Sequence, residues 1–125
     1  MNFVYLTTAS REFGLGHFSR GLSLQRECDK NNIKLEIIVL GDLKQYELAS
    51  LIHHSDAKGQ KFLNIKNKDE FSYIKQIYDA GCYLIDIPIK FDYKKWPLLP
   101  LKLNSKFIGI DILSPFRLYC DICLY

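Results

Sequence analysis

Two glycines, a histidine and an arginine lie within seven residues, 14–20, whose sequence is GLGHFSR. This segment follows a short apolar run and precedes residues 17–29, which have the pattern of a helix. A glycine-rich turn between a strand and a helix directs backbone N–H groups and the positive end of the helix dipole to one place, which favours a phosphate or a carboxylate. Gly14 and Gly16 are expected to adopt positive φ angles and to leave room for a ligand.

His17 and Arg20 are the residues of this segment that could do chemistry. At a spacing of three in a first helical turn they lie on about the same face, so both can reach a ligand bound at the turn. A helix N-terminus favours the neutral imidazole, which can accept a proton, so His17 is a candidate general base. A histidine beside a turn is nevertheless more often a surface or capping residue. The dinucleotide-binding fingerprint does not fit, because Ser19 occupies the place of its third glycine.

The rest of the chain alternates apolar strands with helical patterns. Strands are predicted at residues 3–6, 35–40, 61–65, 82–87, 107–112 and 121–125, and helices at 17–29, 42–54 and 67–78. Nearly continuous apolar runs are typical of strands buried on both faces of a parallel sheet. Residues 90–103, which Pro97 and Pro100 interrupt, are predicted to be irregular and to pack over the sheet. This order predicts an α/β fold with a three-layer, Rossmann-like parallel sheet in a single domain, residues 1–125.

Aspartates near the ends of two predicted strands are further candidates for the site. Asp86 falls near the end of the strand at 82–87, and Asp111 near the end of the strand at 107–112. Ligands of open α/β sheets gather beyond the carboxyl ends of the strands, so both residues are candidate ligand contacts. Gly21 is expected to let the first helix pack closely on the sheet, since a glycine inside a helix costs about 1 kcal/mol relative to alanine.

The composition is that of an ordinary globular protein. The chain has 125 residues, of which 48% are hydrophobic and 25% charged, and a net charge of +3, so it can form one domain with a core. The weak, dispersed positive charge does not indicate a nucleic-acid partner. No secretory leader and no run of about 20 apolar residues is present, which predicts a cytoplasmic location with reduced cysteines. Cys120 and Cys123 have C-x-x-C spacing but no second pair, so they are predicted to be core residues.

The glycine-histidine-arginine segment resembles a known family, the UDP-sugar hydrolases of pseudaminic acid biosynthesis with the related spore-coat polysaccharide proteins. The family pattern runs from a strand into Asp-Ala-Ser, then Gly-x-Gly-His-x-x-Arg, then a leucine-rich helix. The matching residues here are Ala9, Ser10, Gly14, Gly16, His17 and Arg20. Thr8 stands in place of the aspartate. The likeness is weaker through the middle of the chain, where Asp86 matches, and returns at Asp111 and at Cys120-Asp121.

These proteins are similar to two-domain GT-B glycosyltransferases, and the chain resembles their N-terminal domain. The resemblance implies a hydrolase that removes UDP from the anomeric carbon of an activated 2,4-diacetamido-2,4,6-trideoxy sugar. His17 would orient or deprotonate the attacking water, and no metal or cofactor is implied. The implied substrate-binding residues are Arg20, Gly14, Gly16, Ser10, Asp86 and Asp111. The resemblance also implies that further elements of this domain, and a C-terminal domain or a second chain, complete the active site.

Other classes of function fit the same residues. One alternative is a non-catalytic nucleotide-sugar-binding module, or a remnant whose last strand pairs with a partner by strand addition. Thr8, Pro88 and Ile112, which replace polar or acidic residues of the family pattern, favour that alternative slightly. Another alternative is the acceptor domain of a GT-B glycosyltransferase, since one fold supports several chemistries.

Overall fold

The structure, a computed structural model, describes residues 2–8, 16–41, 62–67, 80–92, 96, 98–112 and 114–125. The elements within these residues are β1 (Phe3–Thr8), α1 (Gly16–Lys30), β2 (Leu35–Leu40), β3 (Phe62–Ile65), β4 (Cys82–Asp86), β5 (Lys106–Ile110), β6 (Ile122–Leu124) and two 3₁₀ helices, Leu99–Lys102 and Pro115–Tyr119. All the strands pair in parallel in one six-stranded sheet. The predicted Rossmann-like parallel sheet is therefore confirmed.

The predicted strands and the first helix are all present, with ends that differ from the prediction by one or two residues at most. The largest extension is in β1, which continues through Thr7 and Thr8 because these residues pair with Val39 and Leu40 of β2. Nearly all of the helices predicted at 42–54 and 67–78 lies outside the described residues, and these two helices remain predictions.

Both faces of the sheet are buried at its central strands, β1, β2 and β4, whereas β6 at the edge is mostly exposed. One face packs beneath α1 and contributes Tyr5, Ile37 and Val39 to a cluster with Phe18 and Leu22 of the helix. The other face is covered by the chain that follows β4 and by the 3₁₀ helices, through Phe91, Trp96, Leu98, Leu101 and Phe116. The predicted packing of residues 90–103 over the sheet is confirmed by the described residues of that stretch. Burial on both faces explains why the central strands are nearly continuous apolar runs.

The order of the strands, β3-β2-β1-β4-β5-β6, places a topological switch point between β1 and β4. From β1 the chain proceeds outward to β3 and then returns to the other side of β1 to form β4. Ligands of open α/β sheets bind at the carboxyl ends of the strands beside such a point. The register pairs Thr7 of β1 with Asp86 of β4 at this edge, and α1 begins there. In the part of the chain that the structure describes, no helix has the length and apolar character needed to cross a membrane.

Gly21 lets α1 lie directly on Tyr5 of β1. A Cβ atom at position 21 would be 2.7 Å from Cε1 and 2.8 Å from Cδ1 of the Tyr5 ring, closer than carbon atoms approach without displacement. The ring is completely buried, so it has little room to move away. The predicted close packing at Gly21 is confirmed.

Gly21→Ala is expected to lower the free energy of unfolding by about 1–2 kcal/mol. Overpacking of a buried site costs about 1–3 kcal/mol, and this cost exceeds the gain of up to about 1 kcal/mol that alanine brings to a helix. Urea unfolding followed by circular dichroism measures the change. Ser23→Ala is the matched control, because Ser23 is exposed on the same helix and alanine there stabilises by a few tenths of a kcal/mol. Equal stabilities of the two variants would contradict the packing argument.

Candidate functional site

Asp86, the last residue of β4, is the centre of a cluster of polar side chains, and its own side chain is fully buried. Its Oδ1 accepts hydrogen bonds from Nδ1 of His17 at 2.7 Å and from Nη2 of Arg20 at 2.8 Å. Its Oδ2 accepts from Nε of Arg20 at 2.7 Å and from the hydroxyl of Tyr5. Four donors therefore compensate the burial of one carboxylate, which would otherwise be strongly unfavourable.

The first turn of α1 supplies two of these donor residues. The helix starts at Gly16, at the carboxyl edge of the sheet, so the side chains of His17 and Arg20 both reach the end of β4. This is the shared face that their spacing of three predicts. The His17 side chain is 25% exposed and that of Arg20 is 41% exposed, so the cluster opens to solvent on the side of the helix.

Arg20 links Asp86 to Asp111, which directly follows β5. Nη1 of Arg20 donates to Oδ2 of Asp111 at 2.7 Å. Asp111 has a φ of 49°, a left-handed conformation that aspartate tolerates better than most residues. The hydrogen bond to Asp86 is the main cause that raises the pKa of Arg20. All three guanidinium nitrogens thus bind carboxylates of the chain itself, and the expected contact of Arg20 with a substrate remains a prediction.

Tyr5 belongs to the cluster, although it is not among the predicted site residues. A tyrosine in an apolar strand is usually a core residue, and Tyr5 is indeed completely buried. Burial, followed by the hydrogen bond to Asp86, raises the pKa of Tyr5 well above its usual value, so the hydroxyl keeps its proton and donates it. The combination of a central tyrosine with Gly21 on the facing helix was the available signal, because it leaves space for the ring.

The arrangement fixes the proton on one nitrogen of His17. Asp86 binds Arg20 through both oxygens and acts as an acceptor, so the proton of the His17–Asp86 bond belongs to Nδ1. Nη2 of Arg20 and Nδ1 of His17 are 3.5 Å apart because both donate to Oδ1. In a neutral ring, Nε2 then carries the lone pair, and no described residue forms a hydrogen bond with Nε2. An aspartate that holds Nδ1–H in this way prepares histidine to act as a general base.

The remaining predicted site residues are placed as follows. Gly16 is the first residue of α1 and does not have the expected positive φ, because it already has helical geometry. Among the described residues, nothing lies within 4 Å of a Cβ atom placed there. Gly14 and Ser10 lie outside the described residues. Thr8 ends β1, and its buried Oγ1 has no hydrogen-bond partner among the described residues.

Cys82 is buried, and Cys28 and Cys120 are partly buried against the core clusters, as predicted for Cys120. Cys123 lies on the exposed edge strand β6 and belongs to neither cluster, so the prediction of a core residue is wrong for it. All four thiols are free, and burial raises the pKa of Cys28 and Cys82 and that of Cys120 to about 11. A thiol with a raised pKa is a poor nucleophile at neutral pH. In residues 2–8, 16–41 and the other described ranges, no group of three or more His, Cys, Asp or Glu side chains is arranged to hold a metal ion.

Two cavities, of about 380 and 620 Å³, lie at the opposite edge of the sheet, near the amino ends of β4 and β5. Both are lined by Gly81, Lys106 and Asp121. Asp121 accepts from the backbone N–H of Phe107 at 2.8 Å, and this bond is the main cause that lowers its pKa. Because ligands of parallel α/β sheets bind at the carboxyl edge, the cluster around Asp86 is the better candidate for a functional site.

No family model matches this sequence, and neither a curated protein nor a solved structure is significantly similar to the chain. Among the described residues, the candidate functional site is the cluster of Tyr5, His17, Arg20, Asp86 and Asp111.

Proposed function

We propose that this chain binds a nucleotide-activated sugar at the carboxyl edge of its sheet, and that His17 is the general base for hydrolysis of that sugar. The observation that carries the proposal is the 2.7 Å hydrogen bond between Nδ1 of His17 and buried Asp86 at the switch point between β1 and β4. The choice of a UDP-activated diacetamido-trideoxy sugar follows from the resemblance of residues 14–20 to the hydrolase family.

In the proposed reaction, Nε2 of His17 removes a proton from a water molecule as the oxygen attacks the anomeric carbon. The bond between that carbon and the phosphate oxygen breaks, and UDP leaves with the electron pair. The proton remains on the imidazole until it passes to solvent, and Asp86 stabilises the imidazolium during that interval. General-base catalysis of this kind contributes about 10²–10⁴-fold to the rate.

The diphosphate is best accommodated at the start of α1. The cluster itself holds two carboxylates and one guanidinium, so it is a poor place for a further anion. The N–H groups of residues 16–18 belong to the first turn of a helix, where they have no partner within the helix and lie at the positive end of its dipole. No described side chain crowds Gly16, so a phosphate can approach these groups without meeting the described part of the chain. The buried hydroxyl of Thr8, at the end of β1, could bind a polar atom of the ligand at the same edge.

A second candidate function is glycosyl transfer. The same free Nε2 of His17 can deprotonate a sugar hydroxyl instead of water, so the geometry of the His17–Asp86 pair supports both reactions equally. Only the acceptor differs. The two functions are therefore separated by the product that forms.

The test is to incubate the chain with a UDP-2,4-diacetamido-2,4,6-trideoxy sugar in ¹⁸O-labelled water and to analyse the products by mass spectrometry. Hydrolysis at the anomeric carbon places the label in the free sugar and leaves UDP unlabelled. Label in UDP would show attack on phosphorus and would contradict the proposed step. Transfer to an added acceptor sugar would support the transferase, and binding without any product would support a non-catalytic module. Ser23→Ala, exposed on α1, is the control variant and should retain the activity of the unmodified chain.

A further inference from the structure

Tyr5 lies beneath the proposed catalytic pair and touches both of its members. Its hydroxyl donates to Oδ2 of Asp86 and also lies 3.3 Å from the backbone oxygen of His17. A tyrosine hydroxyl has one proton, and the carboxylate is both the closer and the charged acceptor, so the proton belongs to the bond with Asp86. Tyr5 approaches from the sheet, whereas His17 and Arg20 approach from the helix.

We propose that Tyr5 is a positioning residue, whose hydroxyl fixes the carboxylate plane of Asp86 so that Oδ1 holds His17 with Nε2 free to act as the base. This inference rests on the proposed function of His17. Tyr5 would not touch the substrate, and its effect on catalysis would pass through Asp86.

Burial makes Tyr5 the rigid member of the cluster. The tyrosine is 0% exposed, whereas the side chains of His17 and Arg20 are 25% and 41% exposed. Because position 21 is a glycine, α1 packs directly on the Tyr5 ring, and this contact limits the room in which the ring can move. A carboxylate can rotate about its Cβ–Cγ bond, and a donor that cannot move restricts that rotation more than donors on exposed side chains do.

Arg20 alone does not provide the same restraint. Its guanidinium also binds Asp111, which is 46% exposed, so a movement of Asp111 would be transmitted through Arg20 to Asp86. The Tyr5 hydroxyl connects Asp86 to β1, which lies in the centre of the sheet. The proposed role of Tyr5 is therefore to hold Asp86 in register with α1 when the exposed part of the cluster moves.

The test is Tyr5→Phe, which keeps the buried ring and removes the hydroxyl. Long-range ¹H–¹⁵N NMR spectra of the imidazole groups report the tautomer of His17, assigned with a His17→Asn sample. The unmodified chain is expected to show one Nδ1–H tautomer, and Tyr5→Phe a mixture of tautomers or a broadened signal. Turnover should fall about tenfold, since one hydrogen bond to a charged group is lost, while KM stays within about twofold. Unchanged His17 signals in Tyr5→Phe would overturn the positioning role.

Tyr83→Phe is the matched control. Tyr83 is an equally buried tyrosine on β4, but it lies in the cluster on the other face of the sheet. The His17 signals of the Tyr83→Phe variant should equal those of the unmodified chain. A change in these signals as large as the one in Tyr5→Phe would overturn the proposal. If the unmodified chain shows no turnover, the hydrolase proposal fails, whereas the spectra still decide the role of Tyr5. If Tyr5→Phe does not fold, the unmodified chain provides the test. The hydroxyl proton of Tyr5 should exchange slowly with solvent and show a cross-peak to Asp86 in its NMR spectra. Absence of this proton signal would overturn the proposal.

Discussion

Asp86→Asn is expected to lower the free energy of unfolding by about 2–3 kcal/mol and to reduce turnover by at most the factor of about 10²–10⁴ that loss of the base itself costs. The amide has the shape of the carboxylate, but its NH₂ group must face donors in either orientation, because all four partners of Asp86 donate. Breaking a buried ion pair costs about 3–5 kcal/mol when the remaining charge stays buried. Arg20 is partly exposed and can turn towards water, which reduces the cost. Urea unfolding and the UDP-release assay measure the two effects.

Asp111→Asn is the matched control for this prediction. Asp111 binds the same arginine at 2.7 Å, but its side chain is 46% exposed. Exposed ion pairs contribute about 0–1 kcal/mol, so this variant should lose less than about 1 kcal/mol of stability. Equal losses in the two variants would show that Asp86 is not the buried centre of the cluster.

The strands and the first helix could be predicted from the sequence, because the residue patterns that indicate them lie within short segments. The run at 35–40 is apolar throughout, and only a strand buried on both faces needs that composition over so short a length. Residues 17–29 combine helical spacing with a glycine turn before them. The end of β1 was less predictable, because Thr7 and Thr8 are polar residues that follow the apolar run and directly precede the predicted loop. Their assignment depends on pairing with β2, which is a property of the whole sheet.

The members of the site were predictable one by one, whereas their arrangement was not. His17, Arg20, Asp86 and Asp111 were all candidates, since each lies at the carboxyl end of a strand or at the start of the following helix. Which of them meet depends on β4 pairing with β1, and nothing in the local sequence specifies that neighbour. Tyr5 could not be predicted for the same reason. Its hydroxyl reaches the site only because β4, which carries Asp86, pairs with β1.

His17→Asn is expected to reduce turnover by about 10²–10⁴-fold with little change in stability. The side-chain amide of asparagine can place its nitrogen close to the position of Nδ1, so the donor to Asp86 is retained. The variant lacks any atom at the position of Nε2, and the loss of a general base has an effect of this size. Release of UDP measures turnover, and titration with the UDP-sugar followed by amide NMR measures binding, which should stay within about threefold. Retention of more than a tenth of the turnover would rule out His17 as the base.

The double variant, His17→Asn with Asp86→Asn, tests whether the two residues act as a unit. If Asp86 contributes to catalysis only by holding His17, it has nothing left to hold once the base is gone. The double variant should then turn over no more slowly than His17→Asn alone, because residues that act together are strongly non-additive. Its stability should instead equal that of Asp86→Asn, since the donors around position 86 remain uncompensated. A further loss of turnover in the double variant would show that Asp86 acts on the substrate directly and does not only hold His17.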